Sequence, residues 1–400
     1  MIPLKNFVDA SNIINGKVIR TPLVHSPTLS RRFGGKIYLK LENLQKTGSF
    51  KIRGATYKIQ TRLKEIGSRV VAASAGNHAQ GVALAAAQAG IRSTIVMPEW
   101  VSISKQEATR NYGGEVHIKG ETLAASLEIA KELAINKMSF IHPFDDMDII
   151  TGQGTITLEI MEDLHDTDMI IAPIGGGGLI SGIASAARSI KPDIKIIGVQ
   201  SASCPSAYDS IKKGKMLVVD SQSSIADGIS VKQLGSLNFQ IIQKYIDEVV
   251  LVEEQHIALA ILTLLERKKI LAEGAGAVSL AALMNGAVKI SGHEKVVLII
   301  SGGNVDSPLL GRIISHGLAK NGRIMRFLVK LDDAPGALSG LLKQIASLKA
   351  NVLDIHHDRY IKDAPLYVSY VELELETRSH SHIEEIFEEL EKSGYDIELK

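Results

Sequence analysis

The sequence predicts an α/β protein built on a parallel sheet, followed by a separate βαββαβ unit of ferredoxin-like type. Three observations carry this. Through the first three quarters of the chain, short apolar runs alternate with amphipathic stretches. Three of those runs end directly in turns of small residues, Ser74-Ala75-Gly76-Asn77, Gly175–Gly178 and Ser301-Gly302-Gly303-Asn304. Past the polar stretch Leu318-Ala319-Lys320-Asn321-Gly322 the pattern changes, and the alternation of the first part stops.

Val70–Ala73, Ser93–Met97, Met169–Pro173, Lys195–Val199 and Val296–Ile300 read as buried strands. Thr122–Lys137, Thr155–Leu164, Leu179–Ser189 and His256–Lys268 read as helices. Strands without polar alternation, separated by helices, imply a parallel sheet covered on both faces. In such folds the active site lies at the carboxyl ends of the strands, where glycine-rich turns lead into helices. After the boundary the order is strand Ile324–Leu331, helix Gly336–Leu348, strand Asn351–His357, strand Leu366–Leu375, helix His382–Lys392 and strand Tyr395–Leu399. This unit is complete in itself and is expected to be an appended domain.

Bulk properties exclude several classes. A chain of 400 residues predicts two or three domains. Hydrophobic content of 45% with 22% charged residues is that of a globular protein. The net charge is +1, and no run of Lys and Arg interleaves with aromatics, which argues against a nucleic-acid partner. The single cysteine, Cys204, excludes an internal disulfide framework and reads as a buried side chain. The histidines show no metal-ligand spacing, so no metal site is expected. Met1-Ile2-Pro3-Leu4-Lys5-Asn6 lacks the layout of a signal peptide, and no apolar stretch reaches membrane-spanning length. The expected location is cytoplasmic, without a membrane partner.

The run Asp168–Ile174 enters Gly175-Gly176-Gly177-Gly178-Leu179 and then a helix. Consecutive glycines let backbone N–H groups converge on one point, and the helix N-terminus adds positive partial charge, an arrangement suited to phosphate. A nucleotide P-loop would need Lys-Ser/Thr after Gly182, where Ile183-Ala184 stand; a dinucleotide fingerprint would need glycine at Ile180. Both are therefore disfavoured, and a turn that binds nothing stays open on this loop alone. Lys51, in Ser49-Phe50-Lys51-Ile52-Arg53-Gly54-Ala55, opens a helix expected to continue through Ile59 and Leu63. Spacing alone does not separate it from an exposed helix lysine, and Lys46 and Arg53 nearby read as solvated charges.

Taken together, these segments resemble the fold-type II pyridoxal-phosphate enzymes, the tryptophan synthase β-like family, and within it the threonine ammonia-lyase (threonine dehydratase) group. The resemblance covers about residues 3–320. Ser49–Ala55 is similar to the cofactor-lysine motif, Ser74-Ala75-Gly76-Asn77-His78-Ala79-Gln80-Gly81 to the asparagine loop, and Gly175–Leu179 to the phosphate loop. Ser301–Asn304 is similar to the segment that meets the pyridine nitrogen, and Ala272-Glu273-Gly274-Ala275-Gly276-Ala277 to a further active-site segment.

The resemblance implies two parallel-sheet subdomains within a catalytic domain of residues 1–320, the smaller one, about 48–145, inserted. It implies that Lys51 holds pyridoxal 5'-phosphate as a Schiff base, with Phe50 beside it. Asn77 would bond the ring hydroxyl, Gly175, Gly176, Gly177, Gly178 and Leu179 the phosphate, and Ser301 the ring nitrogen. A neutral Ser at that nitrogen weakens the electron sink and steers chemistry toward elimination rather than transamination. Ser74, Ala75, Gly76 and Asn77 would receive the substrate carboxylate. His78 is expected to be structural, since Lys51 can move the proton. The implied activity is β-elimination and deamination of L-threonine to 2-oxobutanoate and ammonia, and of L-serine to pyruvate, feeding isoleucine synthesis.

Two positions separate close relatives. Serine racemases place a hydroxyl where Ala75 stands, and acidic metal ligands in the segment similar to Gly198–Ser206, where this chain has Gln200. Racemisation and a divalent metal are both disfavoured. A β-replacement lyase and a non-catalytic amino-acid-binding regulator are the other readings; intact Lys51, Asn77 and Ser301 oppose the latter. Residues 323–400 resemble an ACT domain through Leu331-Asp332-Asp333-Ala334-Pro335-Gly336-Ala337-Leu338 and Asn351–Ile355. That resemblance implies an amino-acid effector, isoleucine or valine, and pairing of chains into a homo-oligomer (dimer or tetramer).

Overall fold

Runs that are apolar on both faces must be covered on both sides, and here they pair in parallel between layers of helices. The computed structural model describes residues 2–135, 138–359, 365 and 367–400. Contacts group the chain into two units, Met1–Asp306 and Ser307–Lys400.

The strands of the first unit are β1 (Leu23–His25), β2 (Lys36–Leu41), β3 (Arg69–Ala73), β4 (Arg92–Met97), β5 (Gly114–Ile118), β6 (Ser139–Phe140), β7 (Met169–Pro173), β8 (Lys195–Ser201), β9 (Glu248–Val252) and β10 (Lys295–Ile300). They form a six-stranded sheet ordered β1-β2-β10-β7-β8-β9 and a four-stranded sheet ordered β5-β4-β3-β6. All pairings are parallel except that of β1 with β2. Each sheet has its own core. Ile170, Ala172, Ile196, Val297 and Ile299 pack with Ile156, Ile160, Ile180 and Ile183 around the larger sheet. Val70, Ala72, Ile95 and Met97 pack with Ile52, Ile59, Val82 and Ala86 around the smaller one.

The helix expected at Thr155–Leu164 spans Met147–Asp163. Asp146 starts it, its carboxylate accepting from the N–H groups of Asp148 (2.9 Å) and Ile149 (3.1 Å). Gly152 and Gly154 interrupt the sequence pattern, but in the fold they are where helices cross. A Cβ on Gly152 would lie 2.7 Å from the Cα of Gly54 in the helix Lys51–Thr61. A Cβ on Gly182, in the helix Gly178–Ile190, would lie 2.7 Å from the N of Gly154. The Lys51 helix ends at Thr61 instead of continuing through Leu63. Arg62 leaves helical geometry (φ −104°, ψ 14°), its guanidinium donating to Asp148 at 2.9 Å, and a short helix Leu63–Ile66 follows. The segment expected as one helix at His256–Lys268 is a helix Glu254–Thr263 closed by a π-turn, Leu264–Lys268.

Arg53 is a further correction: it is not a solvated charge but wholly buried. Its guanidinium grips Glu42 (2.8 Å from both Nε and Nη2) and Glu159 (2.6 and 2.9 Å). Lys40 also bonds Glu159 (2.5 Å) and the carbonyl of Thr21 (2.6 Å), and Thr21 donates to Glu42 (2.6 Å). Lys46, by contrast, is at the surface and reaches the carbonyl of Gly16 (3.3 Å).

In the second unit, β11 (Ile324–Asp332), β12 (Asn351–Asp358), β13 (Val368–Glu376) and β14 (Asp396–Leu399) form an antiparallel sheet ordered β12-β13-β11-β14. That order, with helices Ala337–Ser347 and His380–Lys392 as the two crossovers, is the ferredoxin-like arrangement. The alternate residues Phe327, Val329, Leu331, Val371, Leu373 and Leu375 meet Leu341, Ile345, Ile386 and Leu390. Helix Ser307–Lys320 belongs to this unit and packs on β11, ahead of the boundary expected at Leu318–Gly322. The expected helix end at Lys137 and strand start at Leu366 lie outside the described residues.

Breaking a buried pair leaves an uncompensated charge and costs about 3–5 kcal/mol. Arg53→Met should therefore lower the unfolding free energy of the first unit by that amount, seen as a fall in its urea midpoint followed by circular dichroism. A midpoint equal to that of the unaltered protein would show that the cluster does not hold the fold.

Candidate active site

The site forms where strands end. β3 runs into Ser74–Asn77, β7 into Gly175–Gly178, and β10 into Ser301–Asn304. Lys51 arrives from a fourth direction, as the first residue of its helix. An isolated bridge between Ser49 and Gly302 and the bond from Phe50 N–H to the Ser301 carbonyl (3.1 Å) tie that approach to the end of β10. Gly48, at φ +68°, makes the turn before it and donates nothing of its own bulk: a Cβ there would strike the Asn304 side chain. The result is a cavity of about 690 Å³ lined by Phe50, Lys51, Ser74, Ala75, Gly76, Asn77, Gly175–Gly178, Leu179 and Ser301, with Glu273 and Asn304 among the others. Every residue singled out from the sequence as a candidate faces this one space.

Lys51 donates from Nζ to the carbonyl of Pro143 (2.8 Å) and lies 5.2 Å from the centre of the Phe50 ring. Burial pushes its amine down to about 8, and the Glu273 carboxyl opposes that fall. An amine near 8 has an uncharged fraction at neutral pH, which nucleophilic attack on a carbonyl requires.

The glycine turn has the shape of an anion cradle. Ile174 N–H still bonds Val199 (2.8 Å), and beyond it the chain leaves the sheet. Gly177, at φ +100°, sits in the left-handed region and starts the helix Gly178–Ile190, whose first N–H groups have no intrahelical acceptor. A Cβ on Gly176 would collide with the Phe144 ring, and one on Gly178 would lie 2.9 Å from the Phe144 carbonyl oxygen. Only glycine therefore fits between the wall and the cavity. Phe144 is itself held by Asn238, which donates to its carbonyl (3.0 Å), and by edge-on contact with His142. This set of free amides and missing side chains fits the phosphate of pyridoxal phosphate.

The other turns are tightly specified. Asn304 donates to the Asn77 amide oxygen (2.7 Å) and to the Thr47 carbonyl (2.8 Å), and Asn77 Nδ2 donates to Glu273 Oε1 (2.7 Å). In the Ser74–Asn77 turn, Ser74 N–H is committed to Val96 (3.2 Å) and Gly76 N–H to Ser74 Oγ (3.1 Å). A carboxylate there would meet the amides of Ala75 and Asn77. Ser301 is 2% exposed, and its hydroxyl reaches the Ala275 carbonyl at 3.3 Å.

His78 lines the cavity but is tied to the backbone. Its Nε2–H donates to the Ile141 carbonyl (3.0 Å), and burial, with the Lys51 charge next, pushes its imidazole down to about 3. Gln200 is buried, its carbonyl accepting from Ala207 N–H (2.7 Å) and Tyr208 N–H (3.0 Å) and its amide donating to Ile174 and Ser206. Its loop is thus closed on a neutral amide, and among the described residues no acidic or His/Cys group has the arrangement of a metal site. Cys204 is buried, which raises its thiol. No helix among the described residues is long and apolar enough to cross a membrane.

Sequence reasoning missed Glu273, Asn304, Pro143 and Phe144 as individual site residues. Glu273 and Asn304 lie inside segments already picked out, at Ala272–Ala277 and Ser301–Asn304. Pro143 and Phe144 sit on an irregular stretch with no motif to mark them.

The chain is similar to known proteins over most of its length. The family described as "Pyridoxal-phosphate dependent enzyme" matches residues 14–302. An L-threonine ammonia-lyase of Thermotoga maritima is 48% identical over 401 residues, covering 100% of both chains. Among solved structures, the processed form of threonine deaminase isoform 2 from Solanum lycopersicum superposes with a TM-score of 0.73 at 35% identity, covering 78% of this chain and 86% of its own. Maize serine racemase superposes with a TM-score of 0.74, also at 35% identity, over 80% of this chain and 98% of its own.

The burial of His78 has a measurable consequence. Its ring protons should show no titration between pH 8 and pH 5 by NMR, because the folded protein takes up that proton only near pH 3. A midpoint above pH 5 would mean that the ring is solvated.

Proposed function

The chain belongs to the pyridoxal-phosphate dependent enzyme family, and from that premise we propose that it is a threonine ammonia-lyase, converting L-threonine to 2-oxobutanoate and ammonia and L-serine to pyruvate and ammonia. The observation that carries this is the convergence of Lys51 and the Gly175–Leu179 cradle on one cavity. Full-length identity of 48% to an L-threonine ammonia-lyase supports the substrate assignment.

When bound, pyridoxal phosphate supplies an electron sink that makes the substrate Cα–H acidic. In this reading Lys51 holds the cofactor covalently at rest, and Phe50 packs beside it. The amides of Gly175, Gly176, Gly177, Gly178 and Leu179 would bind the phosphate, as an N-terminal helix turn does. Asn77 would orient the ring by its second amide proton, the first being given to Glu273. Ser301 would meet the ring nitrogen with a neutral hydroxyl, which would favour elimination over transamination. The Ser74–Asn77 turn receives the substrate carboxylate, with Ala75 and Asn77 offering the free amides. Once the substrate amine has displaced it from the cofactor, the freed Lys51 Nζ would take the proton at Cα, its amine lying near 8. Loss of the β-hydroxyl as water, followed by uptake of water and release of ammonia, balances the conversion. Ala75 has no hydroxyl to serve as acid or base on the opposite face, so the likeness to serine racemase extends to the fold and cofactor but not, in this proposal, to racemisation. No divalent metal enters the scheme.

The second unit we assign as an ACT domain that senses an amino acid, isoleucine or valine, on chains paired as a homo-oligomer (dimer or tetramer) in the cytoplasm. Feedback on isoleucine synthesis is the role that suits the reaction. The βαββαβ topology supports this, and Gly336, at φ +96°, brings the start of helix Ala337–Ser347 close to open space.

Keto-acid release from L-threonine, with and without isoleucine, tests the whole reading. We expect release from the unaltered protein, lowered by isoleucine, and none from Lys51→Ala with its circular dichroism unchanged. Turnover by Lys51→Ala would remove the proposed role of that lysine. Formation of D-serine from L-serine at a comparable rate would favour the racemase. Absence of calorimetric heat with both isoleucine and valine would remove the sensing role.

A further inference from the structure

Three carboxyl side chains line the cavity: Asp227, Asp306 and Glu273. Asp227 and Asp306 are open to solvent and share Lys105, at 3.4 and 3.3 Å. Glu273 is different. It is 6% exposed, and its contact is a hydrogen bond rather than an ion pair, Oε1 accepting from Asn77 Nδ2 at 2.7 Å. Its N–H donates to the Gly302 carbonyl (3.1 Å), and a Cβ on Gly302 would strike its carboxyl, so it is wedged between the Asn77 turn and the Ser301 turn.

Asn304 donates to Asn77, and Asn77 donates to Glu273. This one-way chain decides which end of the Asn77 amide is nitrogen. An amide that flips about its last bond would otherwise present an oxygen where a donor is needed. Glu273 is an acceptor at Oε1 in either protonation state, so the orientation of Asn77 survives titration. What changes is charge. His78 is neutral, and burial, with Asp227 next, holds Glu273 up at about 8, against the Asn77 hydrogen bond and then the Lys105 and Lys51 charges. Its proton therefore leaves in the same range as that of Lys51.

We propose that Glu273 is a positioning residue for the reaction, fixing the amide of Asn77 and tuning the Lys51 nitrogen by taking or releasing a proton. The proposal rests on the reading of Lys51 and Asn77 as the cofactor's partners. Below its titration Glu273 is neutral and adds nothing to the proton affinity of the Lys51 nitrogen. Above it the carboxylate draws a proton back to that nitrogen and flattens the gain expected from higher pH.

Glu273→Gln separates the two effects, since Gln keeps an acceptor for Asn77 and removes the titration; Glu273→Ala removes both. The full-length protein loaded with pyridoxal phosphate is titrated from pH 6 to pH 10 by visible absorption of the bound cofactor and by infrared spectroscopy. We expect a protonated-carboxyl band that is lost near pH 8 in the unaltered protein and is missing in Glu273→Gln. The visible midpoint should fall by about half a pH unit in Glu273→Gln, a threefold change in proton affinity. Cofactor affinity, from equilibrium dialysis, should drop about tenfold in Glu273→Ala, the loss of one anchoring bond to a polar group, and little in Glu273→Gln. An unchanged visible midpoint together with an unchanged carboxyl band in Glu273→Gln would overturn the inference while leaving the cofactor assignment intact. Failure of the unaltered protein to develop any cofactor band would overturn the cofactor assignment and this inference with it.

Discussion

The buried cluster of Arg53, Glu42, Glu159 and Lys40 is the constraint on which the active site depends. Two cations and two anions sit together with almost no access to water. Charges so placed persist only when each is paired and hydrogen-bonded, because an isolated buried charge is far too costly. The carboxylates hold the Arg53 guanidinium well above its ordinary range, and that guanidinium in turn pulls the Glu42 carboxyl below its own against the effect of burial. Strand β2, the Lys51 helix and the helix Met147–Asp163 each contribute a member, so the three elements are locked at one angle.

That lock places Lys51. Arg53 follows it by two residues, and each helical residue turns the chain by about 100°, so the two side chains leave on nearly opposite sides. With Arg53 fixed toward β2 and Glu159, Lys51 faces the cavity. The same helix thus carries a buried and a half-buried cation with opposite outcomes. Arg53 has two carboxylate partners and stays charged. Lys51 has a backbone carbonyl at 2.8 Å and no ion pair of its own, and burial brings its amine down to about 8. Structural and reactive roles differ here by the partners the fold supplies, not by residue type alone.

Much of this was legible in the sequence, for identifiable reasons. Unbroken apolar runs such as Met169–Pro173 marked strands buried on both faces, and the turns that follow them marked the site, because parallel sheets bring strand ends to one edge. The strand and helix order from Ile324–Leu331 onward marked the ferredoxin-like unit. What failed were features set by distant contacts. Gly152 and Gly154 look like breaks in a helix until Gly54 and Gly182 are seen crossing them. Arg53 looks solvated until Glu42 and Glu159, far apart in sequence, close around it. Phe144 walls the glycine cradle from a stretch that carries no pattern, and Glu273 gains its character from burial, which a local window does not show.

The central claim is that Lys51, held by the Arg53 cluster and facing the glycine cradle, is the residue that carries pyridoxal phosphate. Borohydride reduction of the cofactor-loaded protein, followed by proteolysis and mass spectrometry, tests it most directly. The account predicts one pyridoxyl-labelled peptide, containing Ser49–Arg53 with the label on Lys51. A label on another lysine, or a cofactor fully released on denaturing the reduced protein, would contradict it.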